Sequence, residues 1–137
     1  MKPKYDLPQM RNVWIDAYMN GDTDQLNFVE SPHFFVKRGD RILTKQQQIF
    51  YIQRHLSGKA WVHFGLHVHN EITEITEQRQ WASISGTGSM RRDGRTLVRF
   101  NFLELWLIHD DRWQIAALCY DEKEYEGEML ANQSNPK

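Results

Sequence analysis

The chain has 137 residues, with 17 Lys+Arg against 18 Asp+Glu and a formal net charge of −1. That length suits one domain with a single core, and the near-neutral charge excludes a general nucleic-acid binder, which needs a basic surplus. The lone Cys119 excludes a disulfide framework and a multi-cysteine zinc site. No apolar run approaches the length of a membrane span, and Met1-Lys2-Pro3-Lys4 does not open a secretory signal, so a cytoplasmic protein without membrane or nucleic-acid partners is expected. Aromatic residues reach 12%, more than a small core needs, which points to a ring-lined cavity or a sticky interface.

The first element is a helix. Asp6 caps it, Pro8 sits in the first turn, Gln9 completes a capping box, and Met10, Val13, Trp14, Ala17 and Tyr18 form one apolar stripe. Gly21 ends this helix and Asp22 caps a short second one through Phe28. Ser31-Pro32 is expected to break the chain before a hairpin of His33–Lys37 and Arg41–Leu43 around Arg38-Gly39-Asp40. Thr44 caps a helix from Lys45 to about Leu56, with Ile49, Ile52 and Leu56 inward and Phe50 flanking. From Ala60 the apolar period falls to two. Trp61–Thr76, Trp81–Arg91, Thr96–His109 and Trp113–Asp121 read as four strands, turned at Asp93-Gly94 and Asp110-Asp111. Helices and a short hairpin followed by a long meander make an α+β domain over residues 1–122, with a polar tail over 123–137.

If both turns hold two residues, the register is fixed. Ser85 then faces Phe102, Ser83 faces Glu104, Glu104 faces Ala117 and Phe102 faces Cys119. One face collects Trp81, Ser83, Ser85, Phe100, Phe102, Glu104, Trp106, Ile115, Ala117 and Cys119. The other collects Ala82, Ile84, Leu97, Leu103, Leu105, Leu107, Leu118 and Tyr120. Both faces of the central strand are apolar, and the chain has too few helices to cover both. A second copy of the protein, docked through Leu103, Leu105, Leu107 and Leu118, is the expected cover.

These elements carry a family resemblance. A helix with Trp14 and Tyr18, then Gly21-Asp22, a short hairpin, a helix and a meander ending Trp106-Leu107-Ile108-His109-Asp110-Asp111-Arg112-Trp113-Gln114-Ile115 resembles the nuclear transport factor 2-like superfamily. Within it the chain is most similar to SnoaL-like and ketosteroid-isomerase-like single-domain proteins, over roughly residues 5–121. The resemblance implies a cone-shaped, cystatin-like roll, in which a curved mixed or antiparallel sheet wraps around the N-terminal helices and leaves an apolar pocket. It also implies pairing through the outer sheet face. Many relatives end Trp-x-Ile-x-His-x-His, whereas the two His positions here are Ala117 and Cys119. The fold hosts many chemistries, so it selects none.

Glu104 is the sharpest candidate, a lone acid among rings: either a general base of raised pKa or a structural acid bonded to Ser83 or an arginine. Trp14, Tyr18, Phe35, Ser83, Phe102, Trp106 and Cys119 are the expected ligand-binding wall. His63, His67 and His69 share one side of a strand, but Val62, Phe64, Leu66 and Val68 form the apolar set, so a rim or dimer-face position is favoured over a metal site. No metal and no cofactor are expected. Gly86-Thr87-Gly88 lies mid-strand without a following helix and reads as a bend, not a phosphate loop. The functional expectation is binding of a small apolar or aromatic molecule in the cone, with cofactor-free isomerase, dehydratase or cyclase chemistry if Glu104 is a base. The alternative is a non-catalytic dimerisation module whose cone is filled by its own side chains.

Overall fold

The computed structural model describes residues 3–57 and 66–123, so the expected strand over 61–65, His63 and the tail beyond 123 lie outside the described residues. Within them the order is α1 (Leu7–Asn20), α2 (Thr23–Val29), β1 (Glu30–Arg38), β2 (Arg41–Thr44), α3 (Lys45–Ser57), β3 (His67–Glu77), β4 (Trp81–Arg92), β5 (Arg95–His109) and β6 (Arg112–Lys123). The helix signals operate as read. Asp6 accepts from Gln9 N at 2.9 Å while Gln9 Oε1 accepts from Asp6 N at 2.8 Å, and Gly21 closes α1 in the left-handed region at φ 67°. Thr44 and Gln47 form the same reciprocal pair at the start of α3. No helix among the described residues is long and apolar enough to cross a membrane.

The strands form one sheet ordered β2-β1-β6-β5-β4-β3, antiparallel except where β1 runs parallel to β6. A curved, unclosed sheet of this kind around three helices is an α+β fold. Ser31-Pro32 does not separate α2 from the sheet. The chain enters β1 at Glu30, and the irregular pairing between Glu30 and Phe35 accommodates the proline, which has no N–H for a regular ladder.

Both meander turns have the expected length, with Asp93 and Gly94 at φ 52° and 78° and Asp110 and Asp111 at 53° and 59°. The register nevertheless departs from expectation. A bulge between Met90 and Arg91 advances β4 by one residue, so Ile84 faces Glu104, Gly86 faces Phe102 and Ser83 faces Leu105. Another between Leu105 and Trp106 shifts β6, so Glu104 faces Leu118 and Phe102 faces Tyr120, while Cys119 faces Leu103. A slip of one residue exchanges the faces. Ala82, Ile84, Leu118 and Tyr120 therefore pack on the inner side, and Trp81, Ser83, Ser85 and Cys119 move to the outer side.

The sheet bends where β4 has its two glycines. A Cβ on Gly86 would lie 2.1 Å from the Glu71 carbonyl oxygen, and one on Gly88 would lie 2.5 Å from the Phe100 ring. Only glycine permits so close an approach of β3 and Phe100 to β4. The inner face of the curl meets α1 and α3 through Leu7, Met10, Trp14, Ala17, Phe34, Ile52, Phe102 and Trp106, all buried.

Candidate functional site

Two acids are buried among the described residues, Glu30 and Glu104. Each receives the indole N–H of a tryptophan, and the two indoles meet edge-on. Trp14 Nε1 donates to Glu30 Oε2 at 3.1 Å, Trp106 Nε1 donates to Glu104 Oε1 at 2.9 Å, and the ring centroids lie 6.1 Å apart at 88°. Trp14 also packs edge-on against Phe34 at 6.4 Å.

The other partners differ. Glu104 faces the guanidinium of Arg11, whose Nε lies 2.8 and 3.0 Å from the two carboxylate oxygens and whose Nη2 lies 2.6 Å from Oε2. Arg11 reaches it from α1 and lies over the Phe102 ring at 5.3 Å. Charge is met by charge, with geometry fixed on both sides. Among the described residues Glu30 instead has only neutral side-chain donors: Trp14, and Gln48 Nε2 at 3.0 and 2.9 Å from its two oxygens. The ammonium of Lys45 bonds to the Glu30 carbonyl, not its carboxylate, at 3.1 Å. Burial pushes the Glu30 carboxyl up to about 7, although the Trp14 and Gln48 hydrogen bonds and the nearby Lys45 charge oppose the rise.

Glu30 is part of the wall of a pocket of about 540 Å³ between α3 and the β5–β6 turn. Ile49, Phe50 and Pro32 supply its apolar side, and Lys45, His109, Arg112 and Gln114 its polar side. Lys45 is held by the Asn27 and Glu30 carbonyls at 3.1 Å each, and burial lowers its pKa. Gln114 donates to the Phe28 carbonyl at 3.1 Å, while its buried Oε1 has no partner among the described residues.

The expected wall residues divide. Trp14, Phe102 and Trp106 come together and are buried, filling the space around Glu104 with packed rings. Tyr18 packs beside them, and burial, followed by Tyr120, Tyr51 and Glu30, drives its hydroxyl above the usual tyrosine range. Phe35 is 36% exposed and pairs with Ala117, because the inward position of β1 falls to Phe34. Ser83 and Cys119 lie on the outer side opposite Leu105 and Leu103, carried there by the bulges. Leu118, expected outside, packs against the core. His67 and His69 are exposed, and no cluster that could hold a metal occurs among the described residues. Arg11, Glu30 and Gln48 escaped the sequence reading. The available signal was polar residues at inward positions: Arg11 one turn before Trp14, and Gln48 four before Ile52.

No protein-family model and no curated protein matches the sequence. Solved structures do. A protein of unknown function with a cystatin-like fold from Nostoc punctiforme superposes with a TM-score of 0.65 at 15% identity, covering 92% of this chain and 80% of that one. A ketosteroid isomerase-like protein from Erwinia carotovora atroseptica gives 0.63 at 12% identity, covering 87% and 95%. An NTF2-like protein from Cytophaga hutchinsonii gives 0.65 at 15% identity, covering 85% and 95%. Element order, sheet order and these superpositions agree that the chain has the nuclear transport factor 2-like fold.

Proposed function

We propose that the protein binds a small molecule in the pocket between α3 and the β5–β6 turn, and that Glu30 is the group there that takes up and releases a proton. One observation carries the reading: Glu30, whose buried carboxyl has neutral side-chain donors, is one of the residues that line a 540 Å³ pocket. A carboxyl poised near neutral pH suits general acid–base work. Lys45 and Arg112 on the same wall would steady negative charge developing on an oxygen of the ligand, and Ile49 and Phe50 would hold its apolar body. The chemistry supported is cofactor-free proton transfer of the isomerase or dehydratase kind. Glu104 holds the architecture instead, since a proton taken there would break its ion pair and strand the Arg11 charge. That the fold occurs in ketosteroid isomerase-like proteins is compatible with this chemistry.

A thermal-shift screen of small aromatic carbonyl compounds tests the reading, because a ligand that prefers the native state raises its melting temperature. Stabilisation by a member of the set, lost when Ile49→Trp fills the pocket, supports it. No stabilisation, or stabilisation that survives Ile49→Trp, counts against it.

A second reading also has an observation behind it. Trp81, Leu103, Leu105 and Leu107 are between 38% and 48% exposed, side by side on the outer face. Such a stripe suits a homodimer, with a second copy as its cover. Dimerisation is compatible with the pocket, which shares no residue with the stripe.

A further inference from the structure

The outer face carries a second concavity that shares no residue with the leucine stripe or with the α3 pocket. It has a volume of about 290 Å³ and is walled by His69, Glu71, Thr87, Ser89, Arg91 and Arg99. Strand pairing builds it: His69 faces Ser89, and Ser89 faces Arg99, so an imidazole, a hydroxyl and a guanidinium stand in one row across β3, β4 and β5. Glu71 faces Thr87 in the neighbouring row. The bulge between Met90 and Arg91 sets the row, because an unbulged pairing would place Ser89 against Val98 in place of Arg99.

We propose that this concavity binds a small phosphate ester carrying a hydroxyl group. Two arginines, Arg91 and Arg99, line this one concavity in a protein whose net charge is only −1, so the local positive charge does not reflect a generally basic surface. Arg91 is oriented in advance: its Nε donates to Ser89 Oγ at 3.2 Å, and its Nη atoms bond to no described residue. The Arg91 fork and the hydroxyls of Ser89 and Thr87 on the same wall offer donors from more than one direction, which matches a tetrahedral oxyanion. Glu71 repels a bare anion but accepts a hydrogen bond from a hydroxyl, so it selects a ligand whose phosphate and hydroxyl are separated by the width of the groove. The volume exceeds that of inorganic phosphate and leaves room for a short organic chain.

The test is an NMR titration at constant ionic strength with glycerol 3-phosphate, inorganic phosphate and glycerol, following the backbone amides of residues 69–71 and 87–91. Saturable shifts with both phosphate compounds, tighter for the ester and absent for glycerol, are expected. Arg91→Gln with Arg99→Gln should weaken binding by roughly tenfold or more, the loss expected for a charge-assisted contact. Ser89→Ala serves as a milder variant that retains both charges and should weaken binding less. Absence of saturation overturns the proposal, as does binding unchanged by the double substitution. Equal binding of ester and inorganic phosphate overturns the ester assignment.

Discussion

Arg11 of α1 and Glu104 of β5 form a buried two-pronged ion pair, with Nη2 2.6 Å from Oε2 and side chains only 10% and 2% exposed. It ties the first helix to the strand at the centre of the cone, and Trp106 completes the set of donors on the carboxylate. Breaking such a pair from one side leaves a charge in a place water does not reach, which is far costlier than never having built it.

Arg11→Ala and Glu104→Gln should therefore each destabilise the fold, by about 3–5 kcal/mol where the partner charge is left buried. Arg11→Met with Glu104→Leu should recover most of the loss. Urea unfolding of Arg11→Met, Glu104→Leu and the double variant closes the cycle and gives the coupling. Additive losses in the double variant would show that the two residues act independently.

Gly86→Ala would place a methyl group 2.1 Å from the Glu71 carbonyl oxygen. Backbone must move to relieve that clash, so the substitution should lower the unfolding midpoint, by about 1–3 kcal/mol as in other overpacked sites. Gly94→Ala meets no neighbour within 4 Å and pays only for its positive φ of 78°, so it should cost less.

Leu103→Lys with Leu105→Lys should leave the core intact, because both side chains point outward at 48% and 38% exposure. If the outer face is a dimer interface, sedimentation will show dimers for the native chain and monomers for the variant. A native chain that is monomeric at high concentration would refute the dimer.

Much of the fold was legible in the sequence because local chemistry dictates it. Asp6 with Gln9, Gly21, Thr44 and Asp93-Gly94 act within a few residues of themselves, and each operates as read. The failures are of another kind. A bulge is set by tertiary demands such as the curl at Gly86, and one extra residue reverses the facing of everything beyond it. Ser83 and Cys119 left the inner face for that reason, and Leu118 joined it. The β5 alternation was read correctly, so Phe102, Glu104 and Trp106 were placed inward. The partners of the buried acids were hidden because 93 residues separate Arg11 from Glu104, and 18 separate Gln48 from Glu30.

The Glu30 carboxyl tests the functional account most directly, through its titration followed by side-chain carbon NMR. The raised native pKa means that protons are held in the folded state after the unfolded chain has lost them. Its contribution to stability is therefore complete below the unfolded value of 4.5, falls as pH rises, and is gone above about 7, a change of about 3 kcal/mol at most. Glu30→Gln should abolish that component of the pH dependence. A midpoint near 7 for Glu30 is the predicted result; a midpoint in the ordinary carboxylate range near 4.5 would contradict the account.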